Sequence, residues 1–149
     1  GISTVANIVA EVSQAIWDSL VAEYMPVPTK EDWRTIAAVL HERWKFPNCL
    51  RSIDGKHVVI QAPKNSGSKY HNYKGTFPIG LLAVVDASYC FWVVDVGAHE
   101  KTSDGGTLSN SIFGQALRNG SLDLPEDSLL PGAQHLGPQP HVFVTDEAI

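Results

Sequence analysis

The first third of the chain has the hydrophobic spacing of two helices. Residues 3–23 place apolar side chains three and four positions apart, which is typical of a helix with one buried stripe. The proline-containing segment 25–28 ends that helix. Thr29, followed three residues later by Asp32, predicts a capped second helix that stops before Pro47. The apolar positions of the first stripe are Val5, Ile8, Val9, Val12, Ile16 and Leu20.

After residue 47 the pattern changes to short runs of β-branched and aromatic residues separated by turn residues. The predicted strands are Leu50–Ile53, Val58–Ile60, Ile79–Val85, Tyr89–Val96 and Val142–Val144. We expect the third and fourth to form an antiparallel hairpin, and their nearly continuous apolar runs indicate a sheet covered by helices on both faces. One helix is predicted over 105–118, and a long surface loop over 121–140. The fold class is therefore α/β.

Composition limits the classes of protein that fit this pattern. The 149 residues are enough for one full-sized domain, and the net charge of -5 gives no global basic field for nucleic acid. No apolar window is long enough to cross a membrane. Cys49 and Cys90 form no CxxC motif, so we expect a reducing, intracellular compartment. Because the chain opens without Met and stops directly after a predicted strand, we expect it to be a fragment.

Two aspartates stand at the ends of predicted strands. Asp54 precedes Gly55, and an Asp-Gly pair between apolar runs is typical of a hairpin turn. Asp146 follows the last strand, where it is also suited to cap a helix. If the two strands are parallel neighbours, both carboxylates lie at one edge of the sheet. Such a pair repels unless a cation neutralises it, and Mg²⁺ or Mn²⁺ prefers oxygen ligands. The sequence leaves open whether these aspartates are turn and cap residues or ligands of one cation.

Three other aspartates compete for a role in such a site. Asp86 precedes Ala87 and Ser88 and is predicted to be a turn residue. Asp104 opens the predicted helix and is suited to cap it. Asp95 interrupts an apolar strand, where a carboxylate needs a partner or a metal. We keep Asp95 and Asp104 as accessory acidic candidates.

A basic segment follows the first of these aspartates. Residues 55–85 contain no acidic residue, although the chain as a whole is acidic. Lysines with interleaved aromatic residues are suited to follow a phosphate backbone and to stack on bases, whereas the simpler interpretation is a solvated loop. The candidate DNA-binding residues are Lys56, Lys64, Lys69, Tyr73 and Lys74.

Eight short motifs in order carry a family resemblance. They are Phe46–Cys49, Ile53–Val58, Ala62–Pro63, Asn72–Gly75, Leu82–Ala87, Asp95–Gly97, Ser103–Gly106 and Val142–Ala148. Together they resemble the PIF/Harbinger transposase-derived nucleases of the DDE superfamily endonucleases, over the chain from about residue 30 onward. Leu50-Arg51-Ser52 stands where that family usually has small, apolar residues, so Arg51 is also considered as a neighbour of the site.

The resemblance implies an RNase H-like mixed sheet over 46–149, preceded by a helical segment over 1–45. It implies catalytic and metal-binding roles for Asp54 and Asp146, a divalent cation (Mg²⁺ or Mn²⁺), and cleavage of DNA. A third acidic residue is expected on a helix beyond this sequence, so the chain alone is expected to be inactive. DNA and a Myb-like DNA-binding protein are the implied partners. The implied location is the nucleus, with the cytoplasm second.

A different class of function remains as the alternative. The chain is then a catalytically inactive DNA- or protein-binding domain derived from a transposase. In that case Asp54 is a turn residue and Asp146 a cap, and the helices over 3–44 offer a surface to a partner.

Overall fold

The computed structural model describes residues 1–61, 76–98 and 104–146 of the chain. Its helices are α1 (Ile2–Tyr24), α2 (Lys30–Trp44), α3 (Asp104–Asn110) and α4 (Ile112–Arg118), and a short 3₁₀ turn spans Gln134–Leu136. Its strands are β1 (Cys49–Ile60), β2 (Phe77–Val85), β3 (Phe91–Ala98), β4 (Ser128–Leu129), β5 (Pro138–Gln139) and β6 (Val142–Val144).

The main sheet has four strands in the order β3-β2-β1-β6. The β1–β2 and β2–β3 pairs are antiparallel, and β6 lies parallel to β1. The expected hairpin of the third and fourth predicted strands is confirmed as β2 and β3. The result is a mixed α/β fold, consistent with an RNase H-like arrangement. Strands β4 and β5 form a separate two-stranded sheet.

The predicted hairpin turn at Asp54 and Gly55 is wrong. A single strand, β1, runs through both residues, which pair with Ala83 and Leu82 of β2. The Asp-Gly signal is local, whereas nine consecutive residues of β1 pair with one long neighbouring strand. That continuous ladder outweighs the preference of two residues for a turn. The described chain therefore has three long strands where the sequence predicted four shorter ones.

Helix α2 forms as predicted and packs across one end of the sheet. Thr29 accepts a hydrogen bond from the Asp32 amide, and the Asp32 carboxylate accepts one from the Thr29 amide, so the capping box is present. Trp33 on this helix packs with Leu50, and its ring meets that of Phe143 edge to face at 5.8 Å. These contacts join α2 to both β1 and β6.

Helix α1 forms as predicted, but its apolar stripe is not buried. None of its 23 residues is buried by the described part of the chain. Exposed fractions range from 62% at Val5 to 42% at Leu20 along the stripe. The spacing of apolar residues identifies an amphipathic helix, but it does not specify what covers the apolar face. No described helix is both long and apolar enough to cross a membrane.

The helix predicted over 105–118 is divided into α3 and α4. Ser111 breaks it: its hydroxyl accepts a hydrogen bond from the Gly114 amide and donates one to the Leu108 carbonyl. Gly114 is required here, because a Cβ atom at this position would collide with the Leu108 carbonyl. The break lets Phe113 pack on Ile53 and Val84, at the centre of the sheet.

Candidate metal site and its surroundings

Asp54 lies on β1, and Asp146 follows two residues after the end of β6, the parallel neighbour of β1. Arg51 pairs with Phe143 and Ser52 with Val144. The observed pairing ends there, and the same register extended by two residues would bring Asp146 opposite Asp54. Neighbouring strands lie about 4.8 Å apart, so we expect the two carboxylates within reach of one cation. Both residues are exposed, so this end of the β1–β6 pair is open to solvent.

Asn48 connects the start of β1 to the segment that leads into β6. Its amide group donates hydrogen bonds to the carbonyl oxygens of Ser128 and Gln139, at 3.2 and 3.0 Å. Its side-chain oxygen accepts one from the Ser128 hydroxyl, and its backbone carbonyl accepts one from the Val142 amide. Asn48 has a positive φ of 55°, a conformation that Asn tolerates better than most residues. Sequence reasoning did not single out Asn48, because its partners are about 80 to 90 residues away in the chain.

The accessory acidic candidates are not gathered around Asp54. Residues that pair across neighbouring strands form one row of the sheet. Asp95 on β3 pairs with Leu82, which pairs with Gly55, whereas Asp54 pairs with Ala83 in the next row. Adjacent rows of a sheet point to opposite faces, so Asp95 and Asp54 point apart. Asp104 is the first residue of α3, and its side chain lies outside the described part of the structure. Within the described residues, no group of three or more His, Cys, Asp and Glu side chains could hold a metal ion.

Only one of the candidate DNA-binding residues is described. Lys56 lies on β1 two residues beyond Asp54, and its side chain is exposed. Residues two apart on a strand share a face, so Lys56 lies on the same face of the sheet as Asp54. Lys64, Lys69, Tyr73 and Lys74 fall within 62–75, outside the described residues.

Asp86 is a turn residue, as predicted. It lies between β2 and β3, where its carboxylate accepts hydrogen bonds from the amides of Ser88 and Cys90. The Trp92 indole donates a third hydrogen bond to it, at 3.2 Å. Partial burial works against ionisation, but these hydrogen bonds and the nearby charge of Arg51 outweigh it and keep the pKa of Asp86 below its usual value.

Arg51 does not approach the aspartate pair. It lies three residues before Asp54 on β1, close to Asp86, and its side chain is 1% exposed. Its guanidinium stacks on the Trp92 ring, with the central carbon 3.4 Å from the ring centre. The closest carboxylate oxygen of Asp86 is 3.9 Å from Nη1, and no guanidinium nitrogen has a hydrogen-bond partner among the described residues.

Burial of this unsatisfied cation has an electrostatic cost. Desolvation lowers the pKa of Arg51 to about 10, although Asp86 and Cys90 act in the opposite direction. Arg51 is still charged at neutral pH. A buried donor without an acceptor typically costs about 1–3 kcal/mol, and more when it is charged. The motif position of Arg51 was visible in the sequence, but its burial was not.

The aspartate pair offers only hard oxygen donors, which fits a divalent cation such as Mg²⁺ or Mn²⁺. Because both residues are exposed, a cation and a phosphate group can approach them from solvent.

A comparison with protein families identifies the superfamily of the chain. The family model described as DDE superfamily endonuclease matches residues 53–148, more than half of the chain. The chain belongs to the DDE superfamily endonucleases. The matched region starts one residue before Asp54 and includes Asp146. Neither the curated proteins nor the solved structures contain a significant match to this DDE superfamily chain.

The depressed pKa of Asp86 predicts a pH-dependent contribution to folding. In Asp86→Asn the ionised acceptor is lost, so we expect a lower free energy of unfolding than wild type near neutral pH. The folded-state pKa lies below the ordinary value of 3.8, so the contribution is complete above that pH and is lost as pH falls through the folded-state pKa. The difference between the two proteins should therefore shrink in acid. Urea unfolding at about pH 7 and about pH 3 measures it.

Asp18→Asn is the control, because Asp18 lies on exposed helix α1 and accepts a hydrogen bond only from Gln14 among the described residues. An equal difference at both pH values for Asp86→Asn would show that its hydrogen bonds do not depend on the charge.

Proposed function

We propose that this DDE superfamily chain takes part in metal-dependent cleavage of DNA, as a member of the PIF/Harbinger branch. Asp54 and Asp146 would hold Mg²⁺ or Mn²⁺. The observation that carries the proposal is the parallel pairing of β1 with β6, whose register leads from Ser52 and Val144 to the two aspartates. When bound, the cation supplies Lewis-acid activation for attack on a phosphodiester.

The chain's own residues have three tasks in this proposal. Asp54 and Asp146 hold the cation with their carboxylate oxygens. Asn48 keeps β6 beside β1 and so acts as a positioning residue for the pair. Lys56, on the face of β1 that carries Asp54, is suited to bind a phosphate next to the one that is cut. DNA is therefore the proposed substrate. By family resemblance we also propose a Myb-like protein as partner and the nucleus as location.

The metal assignment predicts that each aspartate contributes to Mn²⁺ affinity. We expect Asp54→Asn and Asp146→Asn each to weaken Mn²⁺ binding about tenfold, or about 1.4 kcal/mol, because each removes a charged oxygen ligand. Isothermal titration calorimetry measures the affinity. Asp18→Asn is the matched control, since it makes the same chemical change at an exposed aspartate on α1. Mn²⁺ affinity equal to wild type in both site variants would refute the assignment.

The DNA assignment predicts a change in the salt dependence of binding. If Lys56 and Lys64 each neutralise one phosphate, changing both to Ala should reduce the slope of log affinity against log salt by about 0.9 per lost contact. Fluorescence anisotropy with a labelled duplex at several salt concentrations gives this slope. The control variant changes Lys30, the first residue of α2, and Lys45, its C-cap, to Ala. An unchanged slope in the Lys56/Lys64 variant would show that these two lysines do not neutralise DNA phosphates.

One observation favours the alternative function, an inactive binding domain. The apolar stripe of α1 is exposed along the whole helix, as it would be in a surface that docks on another molecule. The Mn²⁺ titration separates the two functions, because a binding domain that keeps Asp54 and Asp146 only as strand residues has no reason to bind the cation through them.

A further inference from the structure

An apolar cavity lies on the side of the sheet opposite to Asp54. Its volume is about 580 Å³, within the range of pockets that bind small molecules. The connection between α1 and α2, strand β3 and helix α4 form its walls, through Val27, Trp92, Phe113 and Ala116 among others. The cavity does not include Asp54 or Asp146, so it is separate from the candidate metal site.

Among the described residues, Arg51 is the one cationic residue that lines this cavity. Only 1% of its surface is exposed to solvent. All three of its guanidinium nitrogens lack a hydrogen-bond partner in the described part of the chain. Trp92 covers one face of the guanidinium at 3.4 Å, and the ring of Trp33 lies 5.7 Å away. Stacking satisfies the faces of this planar group but not its N–H donors, which point along its edge. A buried, unpaired fork of donors beside a cavity indicates a missing acceptor.

The charges around the cavity restrict what that acceptor can be. Asp95 also lines the cavity, and Asp86 lies 3.9 Å from Arg51. Asp86 offsets most of the charge of the Arg51 guanidinium, whereas Asp95 pairs through Leu82 with Gly55, four residues along β1 from Arg51. A dianion such as a phosphate monoester is therefore disfavoured more strongly than a monoanion. A carboxylate carries a single negative charge, and its planar pair of oxygens matches the geometry of the arginine fork.

We propose that this cavity binds a small amphipathic carboxylate. Its apolar body packs against Trp92, Phe113 and Ala116, and its carboxylate accepts hydrogen bonds from the edge of the Arg51 guanidinium. Because that guanidinium has almost no exposed area, binding includes a small displacement of the side chains that cover it, of which Trp92 is the nearest. The proposal does not depend on the metal site, which lies on the other face of the sheet.

The test titrates the whole chain with decanoate and with decanol, both below their micelle-forming or saturating concentrations. Arg51→Met keeps the length and apolar character of the side chain but removes the charge. We expect this variant to bind decanoate at least tenfold more weakly, while decanol affinity changes less than twofold. Decyl phosphate should bind wild type more weakly than decanoate. NMR of the indole N–H signals locates the ligand: Trp92 should shift, and Trp17 on α1 should not.

Two further variants make the result decisive. Arg43→Met is the matched control, since Arg43 is exposed on α2 and contacts Ser88, outside the cavity. Ala116→Phe fills the cavity and leaves Arg51 unchanged, so it should abolish binding of both decanoate and decanol even if Arg51→Met fails to fold. The proposal is overturned if decanoate does not bind wild type, if it shifts Trp17 in place of Trp92, or if neither cavity variant weakens its binding.

Discussion

The candidate site depends on one constraint, the parallel pairing of the last described strand with the first. Strand β6 has only three residues, so its own ladder with β1 is short. Asn48 adds to that ladder with hydrogen bonds to Ser128, Gln139 and Val142, of which the side-chain ones are partly buried. Phe143 anchors the strand from the other side, in contact with the rings of Trp33 and Phe113. These contacts hold β6 beside β1, and Asp146 follows two residues after β6.

Strand β1 presents different chemistry on its two faces. Asp54 and Lys56 lie on one face, exposed, where carboxylates and a cationic side chain can meet a metal and a phosphate backbone. Arg51 and Ile53 lie on the other face, where Ile53 packs in the core and Arg51 is buried against Trp92. This alternation explains why a charged residue close to Asp54 in the sequence is not part of its site. It also places the proposed metal site and the proposed carboxylate site on opposite faces of one strand.

The sequence predicted the elements well where long-range packing agreed with the local pattern. Helix α2 and its Thr29 cap, the β2–β3 hairpin and the turn at Asp86 are all local structures with clear signals. The prediction at Asp54 was wrong because the two-residue turn signal carries no information about the long β2 partner strand. The prediction that the apolar stripe of α1 is buried was wrong for a related reason, because periodicity does not identify the surface that covers a helix. Asn48 and Arg51 depend on distant residues for their roles, and a single sequence does not reveal those contacts.

The central claim is that Asp54 and Asp146 share one cation, and a double-mutant cycle in Mn²⁺ affinity tests it most directly. The cycle compares wild type, Asp54→Asn, Asp146→Asn and the double variant by calorimetry. If both carboxylates bind the same ion, the two effects are not additive, and the coupling free energy exceeds about 0.5 kcal/mol. Effects that add within about 0.3 kcal/mol would show that the aspartates act independently, which would contradict a shared metal site at the β1–β6 pair.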